Sequence, residues 1–535
     1  MKYLSRIHPY LFAVFPILAL FSVNAGEFEE ELVLRALLLT ILAAGVVHLT
    51  ARLFLGEWIL ASILTTSLLL FFFSYGHIYE FMKNWHIGDW VIGRHRFLLP
   101  TLSVLLVLFL LRLFRRRRDT AVFLPAFLGL MGVSLIAVPI FSLVGYMFSK
   151  NLAPKFSSDS SLAHESLASE SIAETRPDIF YIILDGYARG DTLEAIYNVD
   201  NDPFLDSLRN KGFYIADQSL SNYMTTLKSL TASLNMSYLD VLADDYDLNL
   251  KRNDPFAQLF RHSQVRSFLE ERGYQMVAFD SGWPRTRIKD AAIYLQTDDQ
   301  AQAPAFMSWY VNEFELLLLR TTILRSYIDL KTREIGETSR LDSYLYQNHR
   351  QRIHSTFQLL EEIPTWDGDY FVFAHIISPH PPFIFGPDGQ ALTPPWEFTI
   401  HDGSDFPGTT EDYITGYSAQ IKYINKLVEI LVTQLIADSE NPPIIIIQGD
   451  HGPRAFMDWE SVDQTDVQES MSILNAYFVP DQTGIDFYES ITPVNSFRVL
   501  FNRYFDTDYA LLEDHSYYTT DSNPYNFIIV DDQAR

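Results

Sequence analysis

Two stretches, Phe180-Tyr-Ile-Ile-Leu-Asp185-Gly186 and Ile444-Ile-Ile-Ile-Gln-Gly-Asp450-His451-Gly452, decide the fold of this chain. Each is an apolar, mostly β-branched run that ends abruptly in a carboxylate. Such runs are typical of buried parallel strands, whose carboxyl ends form ligand sites in α/β proteins. Many strands of α/β proteins end in Asp without any further role. Here His451 follows Asp450 directly, and carboxylate and imidazole together suit a divalent cation. We therefore predict that Asp185, Asp450 and His451 share one metal ion.

Strand-like and helix-like runs alternate after residue 177. Further strands are predicted at Tyr274–Phe279, Tyr370–Ile376 and Pro443–Gln448, and a long amphipathic helix at Asp412–Ile436. This alternation predicts an α/β domain in which a mostly parallel sheet is flanked by helices.

Two more stretches carry candidate chemistry. Ser221–Asn235 contains several hydroxyl side chains, and a helix is predicted to begin near Thr226. A hydroxyl in this position is commonly a helix cap, but a nucleophile also benefits from the helix dipole. Phe373–Phe383 carries His375 and His380, one at the end of a predicted buried strand and one in a Pro-rich turn. Both interpretations of each stretch are open at this point.

Five apolar segments come before this region, and most of them approach the roughly 20 residues needed to cross a bilayer. They are Tyr10–Asn24, Leu32–Val47, Trp58–Tyr75, Phe97–Phe114 and Ala121–Phe148. The first segment, preceded by Lys2 and Arg6, also fits a cleaved signal peptide. Four further segments favour its retention as a span.

Basic residues predict the orientation of these spans. Lys2 and Arg6 precede the first span, Arg52 lies between the second and third, and Arg115–Arg118 lies between the fourth and fifth. The positive-inside rule places all three groups in the cytoplasm. Because the number of spans is odd, everything after Phe148 is then expected outside. The arginine run is interpreted as a topology anchor rather than a nucleic-acid patch.

Composition also divides the chain into parts with different surroundings. Residues 1–148 form the predicted membrane region, Ser/Glu-rich residues 149–176 a linker, and 177–535 an extracytoplasmic catalytic domain. Of 40 Lys and Arg and 66 Asp and Glu, residues 1–150 hold 13 and 8, leaving 27 and 58 for the rest. So acidic an exterior argues against nucleic acid as a partner, and an anionic substrate would need a local cation. The chain has no cysteine, which excludes a thiol nucleophile.

The order of these stretches resembles the sulfatase-like branch of the alkaline phosphatase superfamily. The likeness is to membrane-anchored lipoteichoic acid synthases and lipid A phosphoethanolamine transferases, which also join five spans to an extracytoplasmic catalytic domain. Pro177–Asp185 is similar to the first metal-binding strand of the family, and Asp202–Gly212 to the helix that follows it. Gly416–Asn425 resembles the helix before the last metal strand, and Gly449–Gly452 resembles the most recognisable signature.

The resemblance implies roles for individual residues. One divalent ion, zinc or manganese, would be held by the nucleophilic threonine together with Asp185, Asp450 and His451. Family spacing, a threonine followed three residues later by a serine, favours Thr226, with Ser229, over Thr225. His380 resembles the histidine that contacts the transferred group. Weaker candidates for substrate contact are His375, Arg454 and Asn222.

Departures from the family narrow the chemistry. No Cys/Ser-x-Pro-x-Arg motif is present, so sulfate-ester hydrolysis through formylglycine is not expected. No Asp-x-x-x-His motif accompanies His375 or His380, which favours one metal ion over two.

The resemblance thus implies a metal-dependent transferase in a bacterial inner membrane, with its catalytic domain in the periplasm. It would move a phosphoryl-linked headgroup from a lipid donor to an envelope glycan or lipid through a phospho-threonine. A phosphodiesterase or phosphatase would share the same residues. A non-catalytic envelope-assembly protein is the alternative from a different class.

Overall fold

A computed structural model describes residues 4–25, 28, 30–88, 90–115, 117–151, 176–240, 254–296, 312–333, 340–481 and 487–534. The chain divides into two compact units. One combines Met1–Leu152 with Asp299–Arg340, and the other combines Ala153–Asp298 with Leu341–Arg535. Most of the predicted linker, residues 149–176, lies outside the described residues.

The first unit contains five long apolar helices and a small hairpin. Its elements are α1 Leu4–Val23, α2 Glu30–Leu55, α3 Trp58–Met82, β1 His86–Ile87, β2 Trp90–Val91, α4 His95–Arg115 and α5 Arg117–Asn151. All five helices are long and apolar enough to cross a membrane, by length and composition. The five predicted apolar segments are therefore present as helices, most of them longer than the sequence pattern indicated.

The second unit is built on a seven-stranded sheet. Its elements before residue 296 are β3 Ile179–Leu184, α6 Gly190–Tyr197, α7 Asp202–Asn210, β4 Tyr214–Ile215, α8 Thr226–Asn235, α9 Asp254–Arg261, α10 Gln264–Glu270, β5 Gln275–Phe279 and β6 Ile293–Leu295. Two helices of the first unit follow, α11 Glu313–Thr321 and α12 Leu324–Arg333. The sheet unit then continues with α13 Arg340–Glu362, β7 Tyr370–Ile376, α14 Thr410–Asp438, β8 Ile444–Gln448, α15 Val467–Met471, β9 Asn475–Phe478, α16 Pro493–Tyr504, β10 Tyr517–Tyr518, β11 Ile528–Ile529 and α17 Asp531–Ala534.

The strand order is β4-β9-β8-β3-β7-β5-β6. Strands β8, β3, β7, β5 and β6 run parallel to one another. At one edge β9 pairs antiparallel with β8, and β4 pairs antiparallel with β9. The predicted mostly parallel α/β architecture is therefore confirmed. Every residue of β3 is buried because helices cover both faces of the sheet. This is why its sequence is continuously apolar rather than alternating.

The strand register brings the candidate site residues that follow the central strands to one edge of the sheet. Strand β3 lies between β8 and β7, with Ile183 opposite His375 and Leu184 opposite Ile376. Because the three strands are parallel, the residues that follow β3 and β8 and the turn that follows β7 emerge side by side.

The helices α11 and α12 pack against the membrane-type helices of their own unit. Phe314 is buried in a cluster with apolar residues of α1, α2 and α3. Arg35 of α2 forms an ion pair with Glu315, and the backbone amide of Ile323 donates to Phe72 O at 2.9 Å. Residues 312–333 lie within the range predicted as catalytic domain, but they pack with the apolar helices.

Gly76 on α3 allows this packing, and it offers a test. A Cβ at Gly76 would overlap the backbone carbonyl of Arg320, whereas a Cβ at Gly45 on α2 would meet only Tyr10 at 3.9 Å. We expect Gly76→Ala to destabilise the first unit by about 1–3 kcal/mol, the usual cost of overpacking. Thermal unfolding of the detergent-solubilised protein would show a lower Tm for Gly76→Ala than for the matched control Gly45→Ala. Equal Tm values would contradict this packing.

Candidate metal centre and active site

Four buried side chains converge where the central strands end. His451 Nε2 lies 3.3 Å from Asp185 Oδ1 and 3.3 Å from Asp450 Oδ2. The same nitrogen lies 3.1 Å from Thr226 Oγ1. A tetrahedron with metal–ligand bonds of about 2.0 Å has edges of about 3.3 Å. The three separations from His451 therefore match the spacing within a tetrahedral zinc ligand set.

Two of these atoms also lack a hydrogen-bond partner. Asp185 Oδ1 and Asp450 Oδ2 are buried without any donor among the described residues. The remaining atoms of the ligand groups are engaged: Asp450 Oδ1 accepts from the amide of Gly186 at 3.1 Å, and His451 Nδ1 donates to Gly452 O at 2.7 Å. A buried carboxylate oxygen without a partner is costly unless a cation lies beside it. The donor set, two carboxylates, one imidazole Nε2 and one hydroxyl, thus fits a divalent metal ion.

Glycines set the tight backbone around the two carboxylates. Gly186 has φ of 71°, a conformation that allows the chain to turn directly after Asp185. A Cβ at Gly449 would overlap the carbonyl of Tyr187, and a Cβ at Gly452 would overlap the carbonyl of Glu469. The Gly-Asp-His-Gly sequence therefore combines two ligands with two points of close backbone approach.

Thr226 is the first residue of α8, and Thr225 occupies the N-cap position with an extended backbone and no side-chain capping bond. Hydroxyl Oγ1 of Thr226 contacts His451, and its side chain is buried. At the start of a ten-residue helix, free backbone amides and the helix dipole favour a bound anion. Of the two threonines weighed from the sequence, Thr226 is the one whose hydroxyl lies at the candidate metal ligands.

The structure places His375 next to Asp185. It was predicted as a substrate contact, but its side chain is buried within the sheet and engaged at both nitrogens. Nε2 lies 3.1 Å from Asp185 Oδ2, and Nδ1 lies 2.9 Å from Thr286 Oγ1. That hydroxyl also contacts Ser281 Oγ at 2.9 Å. His375 thus contacts the Asp185 oxygen that does not face His451. One of its nitrogens also lies within 4.8 Å of carboxylate oxygens of both Asp185 and Asp450.

Asn222, another predicted substrate contact, forms hydrogen bonds through both ends of its side-chain amide. Its Oδ1 accepts from the amide of Val494 at 2.9 Å, and its Nδ2 donates to His515 O at 2.9 Å and to Tyr238 Oη at 3.4 Å. The side-chain amide of Asn222 therefore joins the start of α16 to the segments around Tyr238 and His515. A substrate contact through Asn222 stays a prediction.

Asp402 connects the other two candidates, His380 and Arg454, and was not predicted from the sequence. Its Oδ2 lies 3.3 Å from His380 Nε2 and 3.4 Å from an Arg454 guanidinium nitrogen. The guanidinium of Arg454 also donates to Met224 O and lies over the ring of Trp459. Asp402 comes from an irregular stretch without a motif, so only the fold could reveal it. All three side chains are buried.

Neighbouring imidazoles control the ionisation of Asp185. Burial by itself opposes the charged form. The charge of the nearby His380, the hydrogen bond from His375 and the close approach of His451 outweigh burial and hold the pKa of Asp185 well below its usual range. Asp185 is therefore an anion at neutral pH, as a metal ligand must be.

Glu469 holds the loop that follows the metal signature. Its carboxyl accepts from the amides of Ala455 and Phe456 at 2.9 and 3.0 Å and contacts Tyr197 Oη. Burial raises the pKa of Glu469 to about 8, more strongly than the hydrogen bond from Tyr197 lowers it. This residue too was missed from the sequence, because nothing in its local pattern marks a buried carboxyl.

No protein-family model matches the sequence, and the search of curated proteins found no match. Solved structures do show similarity. One is the periplasmic domain of EptC from Escherichia coli in complex with zinc, with TM-score 0.37, 11% identity, and coverage of 66% of this chain and 93% of that one. The integral membrane lipooligosaccharide phosphoethanolamine transferase A (EptA) from Neisseria meningitidis has TM-score 0.37, 12% identity, and coverage of 93% and 94%.

A third similar structure is the lipoteichoic acid synthase LtaP from Listeria monocytogenes, with TM-score 0.35, 14% identity, and coverage of 61% of this chain and 71% of that one. Phosphoethanolamine transferases and a lipoteichoic acid synthase are thus among the structures that this chain is similar to. The function proposed below rests on the side chains described above.

The contact between Thr286 and His375 gives a prediction for metal affinity. Thr286→Val removes the hydroxyl that fixes the His375 ring, so Asp185 is held less firmly. We expect zinc affinity to fall about 10- to 100-fold, as for other outer partners of metal ligands. Competition with a chromophoric chelator measures this. Thr356→Val is the matched control, because Thr356 is also buried but its hydroxyl donates only to a carbonyl of its own helix. Equal zinc affinities for the two variants would rule out a role for Thr286.

Glu469 gives a prediction for pH dependence. Below the ordinary pKa of 4.5 the carboxyl is protonated in both the folded and the unfolded chain. Between pH 4.5 and about 8 the unfolded chain loses this proton while the folded chain keeps it, so this group lowers stability as pH rises. Glu469→Gln removes that contribution. We expect the fall in Tm from pH 5 to pH 8 to be smaller in the variant, and an unchanged fall would contradict the assignment.

Proposed function

We propose that this chain is a membrane-anchored, metal-dependent transferase. It moves a phosphoryl-linked headgroup from a lipid donor to an envelope glycan or lipid, with Thr226 as the covalent nucleophile. The observation that carries the proposal is the ligand set itself. Two buried carboxylate oxygens without partners and one hydroxyl surround a single imidazole nitrogen at 3.1–3.3 Å.

Zinc or manganese would be held by Asp185, Asp450, His451 and Thr226, and would lower the pKa of the threonine hydroxyl and neutralise phosphoryl charge. Thr226 is the nucleophile in this proposal because its hydroxyl is the member of this set that can form a phosphate ester. The amides at the start of α8 are positioned to donate to phosphoryl oxygens.

His380 supports proton transfer in both halves of the reaction. Its Nδ1 lies 2.6 Å from Pro381 O and its Nε2 lies 3.3 Å from Asp402 Oδ2, so both nitrogens face acceptors. Because a carbonyl can only accept, Nδ1 donates to Pro381 O, which leaves Nε2 as the nitrogen that exchanges a proton. Asp402 orients the ring toward this exchange.

The reaction then balances in two steps. Thr226 attacks phosphorus through Oγ1 as the alkoxide, its hydroxyl proton having been lost to solvent before the attack. The bond from phosphorus to the lipid oxygen breaks, and His380 protonates the departing alcohol. In the second step an acceptor hydroxyl gives its proton to His380 and attacks the phospho-threonine. The bond between phosphorus and Thr226 Oγ1 breaks, which restores the enzyme.

A lipid donor fits the five apolar helices, because they would keep the chain at a source of phosphodiester headgroups. The names of the similar structures, phosphoethanolamine transferases and a lipoteichoic acid synthase, support the same choice. The proposed location is a bacterial inner membrane with the sheet unit in the periplasm, because basic residues border the predicted cytoplasmic ends of the helices.

Mass measurement of Thr226 tests the proposal. Full-length protein with zinc is incubated with vesicles of phosphatidylethanolamine and phosphatidylglycerol, digested, and analysed as peptides. We expect the peptide with Thr226 to gain the mass of one phosphoryl-linked headgroup. Thr226→Ala should abolish this gain, whereas the adjacent control Thr225→Ala should retain it.

A modified peptide in Thr226→Ala protein would overturn the assignment of the nucleophile. Release of free headgroup phosphate with no acceptor product would instead identify a hydrolase. Absence of both stoichiometric metal and any modified peptide would favour a non-catalytic role in envelope assembly.

A further inference from the structure

Helices α11 and α12 contact α3 well inside its length. The amide of Ile323, in the turn between α11 and α12, donates to Phe72 O at 2.9 Å. Phe314 and Leu318 of α11 are buried in one cluster with Phe73 of α3 and with apolar residues of α1 and α2. The two helices are therefore anchored around residues 72–73 of α3, far from either end of that helix.

The length of α3 fixes the depth of this contact. Helix α3 has 25 residues, Trp58–Met82, and is long and apolar enough to cross a membrane. At about 1.5 Å per residue it is about 37 Å long, whereas the hydrocarbon core of a bilayer is about 30 Å thick. Phe72 lies about 15 Å from the Met82 end. Even with all the excess length at that end, Phe72 and the turn bonded to it would lie about 7 Å inside the core of a bilayer that α3 spans.

The backbone of the turn between α11 and α12 is suited to that depth. Inside a bilayer each peptide group needs a partner in the protein, and the first amides of a helix have none within the helix. Here the amides of residues 322–326 all donate. The bonds are Thr322 N to Leu319 O at 3.1 Å, Ile323 N to Phe72 O at 2.9 Å, Leu324 N to Thr322 Oγ1 at 3.2 Å, Arg325 N to Thr322 O at 3.2 Å and Ser326 N to Ile323 O at 3.0 Å. No amide of this turn needs water.

The charged side chains of α12 lie toward the end of α3. Arg325 Nη1 pairs with Glu80 Oε2 at 2.8 Å, and the guanidinium lies 4.9 Å from the centre of the Tyr79 ring. Asp329 Oδ2 lies 2.7 Å from Nε2 of His95, the first residue of α4. Apolar contacts therefore lie deep and charged contacts lie near the helix ends. This is the layering that one leaflet of a bilayer imposes on a protein.

Two side chains of α12 face away from the protein. Leu324 is 41% exposed and Tyr327 is 64% exposed, and they share a helix face because they are three positions apart. Leu324 directly follows Ile323, whose amide is bonded at the level of Phe72. Tyr327 lies one turn nearer the charged pairs. A leucine within the hydrocarbon core and a tyrosine near its boundary are typical of a helix surface that faces lipid.

We propose that α11 and α12 form a re-entrant pair embedded in the leaflet at the Met82 end of α3. The partner of the exposed face is lipid, with Leu324 among the acyl chains and Tyr327 at the headgroup boundary. Residues 312–333 are then a membrane element within the range predicted from the sequence as extracytoplasmic domain. This inference rests on α3 being a membrane span, and it holds whether or not the chain is a transferase.

Nitroxide labelling tests the lipid contact. The chain has no cysteine, so full-length protein with Leu324→Cys carries a single label in phosphatidylcholine vesicles. Power saturation compares collisions with oxygen, which dissolves in lipid, and with a water-soluble nickel chelate. We expect oxygen to dominate at residue 324, as in the span control Leu108→Cys on α4, where Leu108 is 56% exposed. Nickel should dominate in the matched control Ile430→Cys on α14 of the sheet unit, where Ile430 is 55% exposed. Tyr327→Cys should lie between the two.

The other results of this experiment contradict the proposal. Nickel-dominated relaxation at residue 324, as at residue 430, would place this face of α12 in water. Low access of both reagents at residue 324 would mean that protein, such as a second copy of the chain, covers the face instead of lipid.

Cross-linking of the unaltered protein examines the same face without a substitution. The vesicles contain phosphatidylcholine with a diazirine on one acyl chain, and peptides are analysed by mass after irradiation and digestion. We expect lipid adducts on the peptide that contains Leu324 and on peptides of α4, and none on the peptide that contains Ile430. Adducts on α4 with none at Leu324 would overturn the proposal. Thr226→Ala should leave these adducts unchanged, so a failure of the proposed function and a failure of this inference are distinguished.

Discussion

Two carboxylate oxygens buried beside one imidazole nitrogen impose the main constraint on this structure. Asp185 Oδ1 and Asp450 Oδ2 have no donor in the described chain, and removing two anions from water without compensation is costly. A parallel sheet is well suited to produce such a pair, because neighbouring strands deliver their last residues to the same edge. Strands β3 and β8 do this, and the glycines beside them leave room for the backbone to turn.

The surrounding residues work by holding the other atom of each ligand. The Gly186 amide occupies the second oxygen of Asp450, the Gly452 carbonyl occupies the second nitrogen of His451, and His375 occupies the second oxygen of Asp185. Each contact determines which atom faces the metal position. Beyond this layer, the carboxylate of Asp402 contacts both His380 and Arg454. The carboxylate atoms left without a hydrogen bond, Asp185 Oδ1 and Asp450 Oδ2, are the ones available to a metal ion.

The first unit adds a different kind of organisation. Its five apolar helices are long and apolar enough to cross a bilayer, where a helix can pair its backbone groups internally. Helices α11 and α12, about 160 residues further along the chain than the end of α5, return to this unit through apolar contacts and the Arg35–Glu315 pair. The chain therefore passes between the two units three times, at residues 152–153, 298–299 and 340–341. Membrane and sheet parts are interleaved in sequence.

The sequence by itself determined the features that local pattern encodes. Apolar runs predicted the five helices and the central strands, and β7 has the bounds expected. A motif predicted that Asp185, Asp450, His451 and Thr226 would meet, and the fold brings them together. Only tertiary structure decided the roles of His375, Asn222, Asp402 and Glu469. Their functions depend on partners up to about 290 residues away, set by strand register and by loop packing rather than by neighbours in the chain. The physical reason is that burial and pairing are properties of the assembled core, whereas hydrophobic periodicity is already present in the unfolded chain.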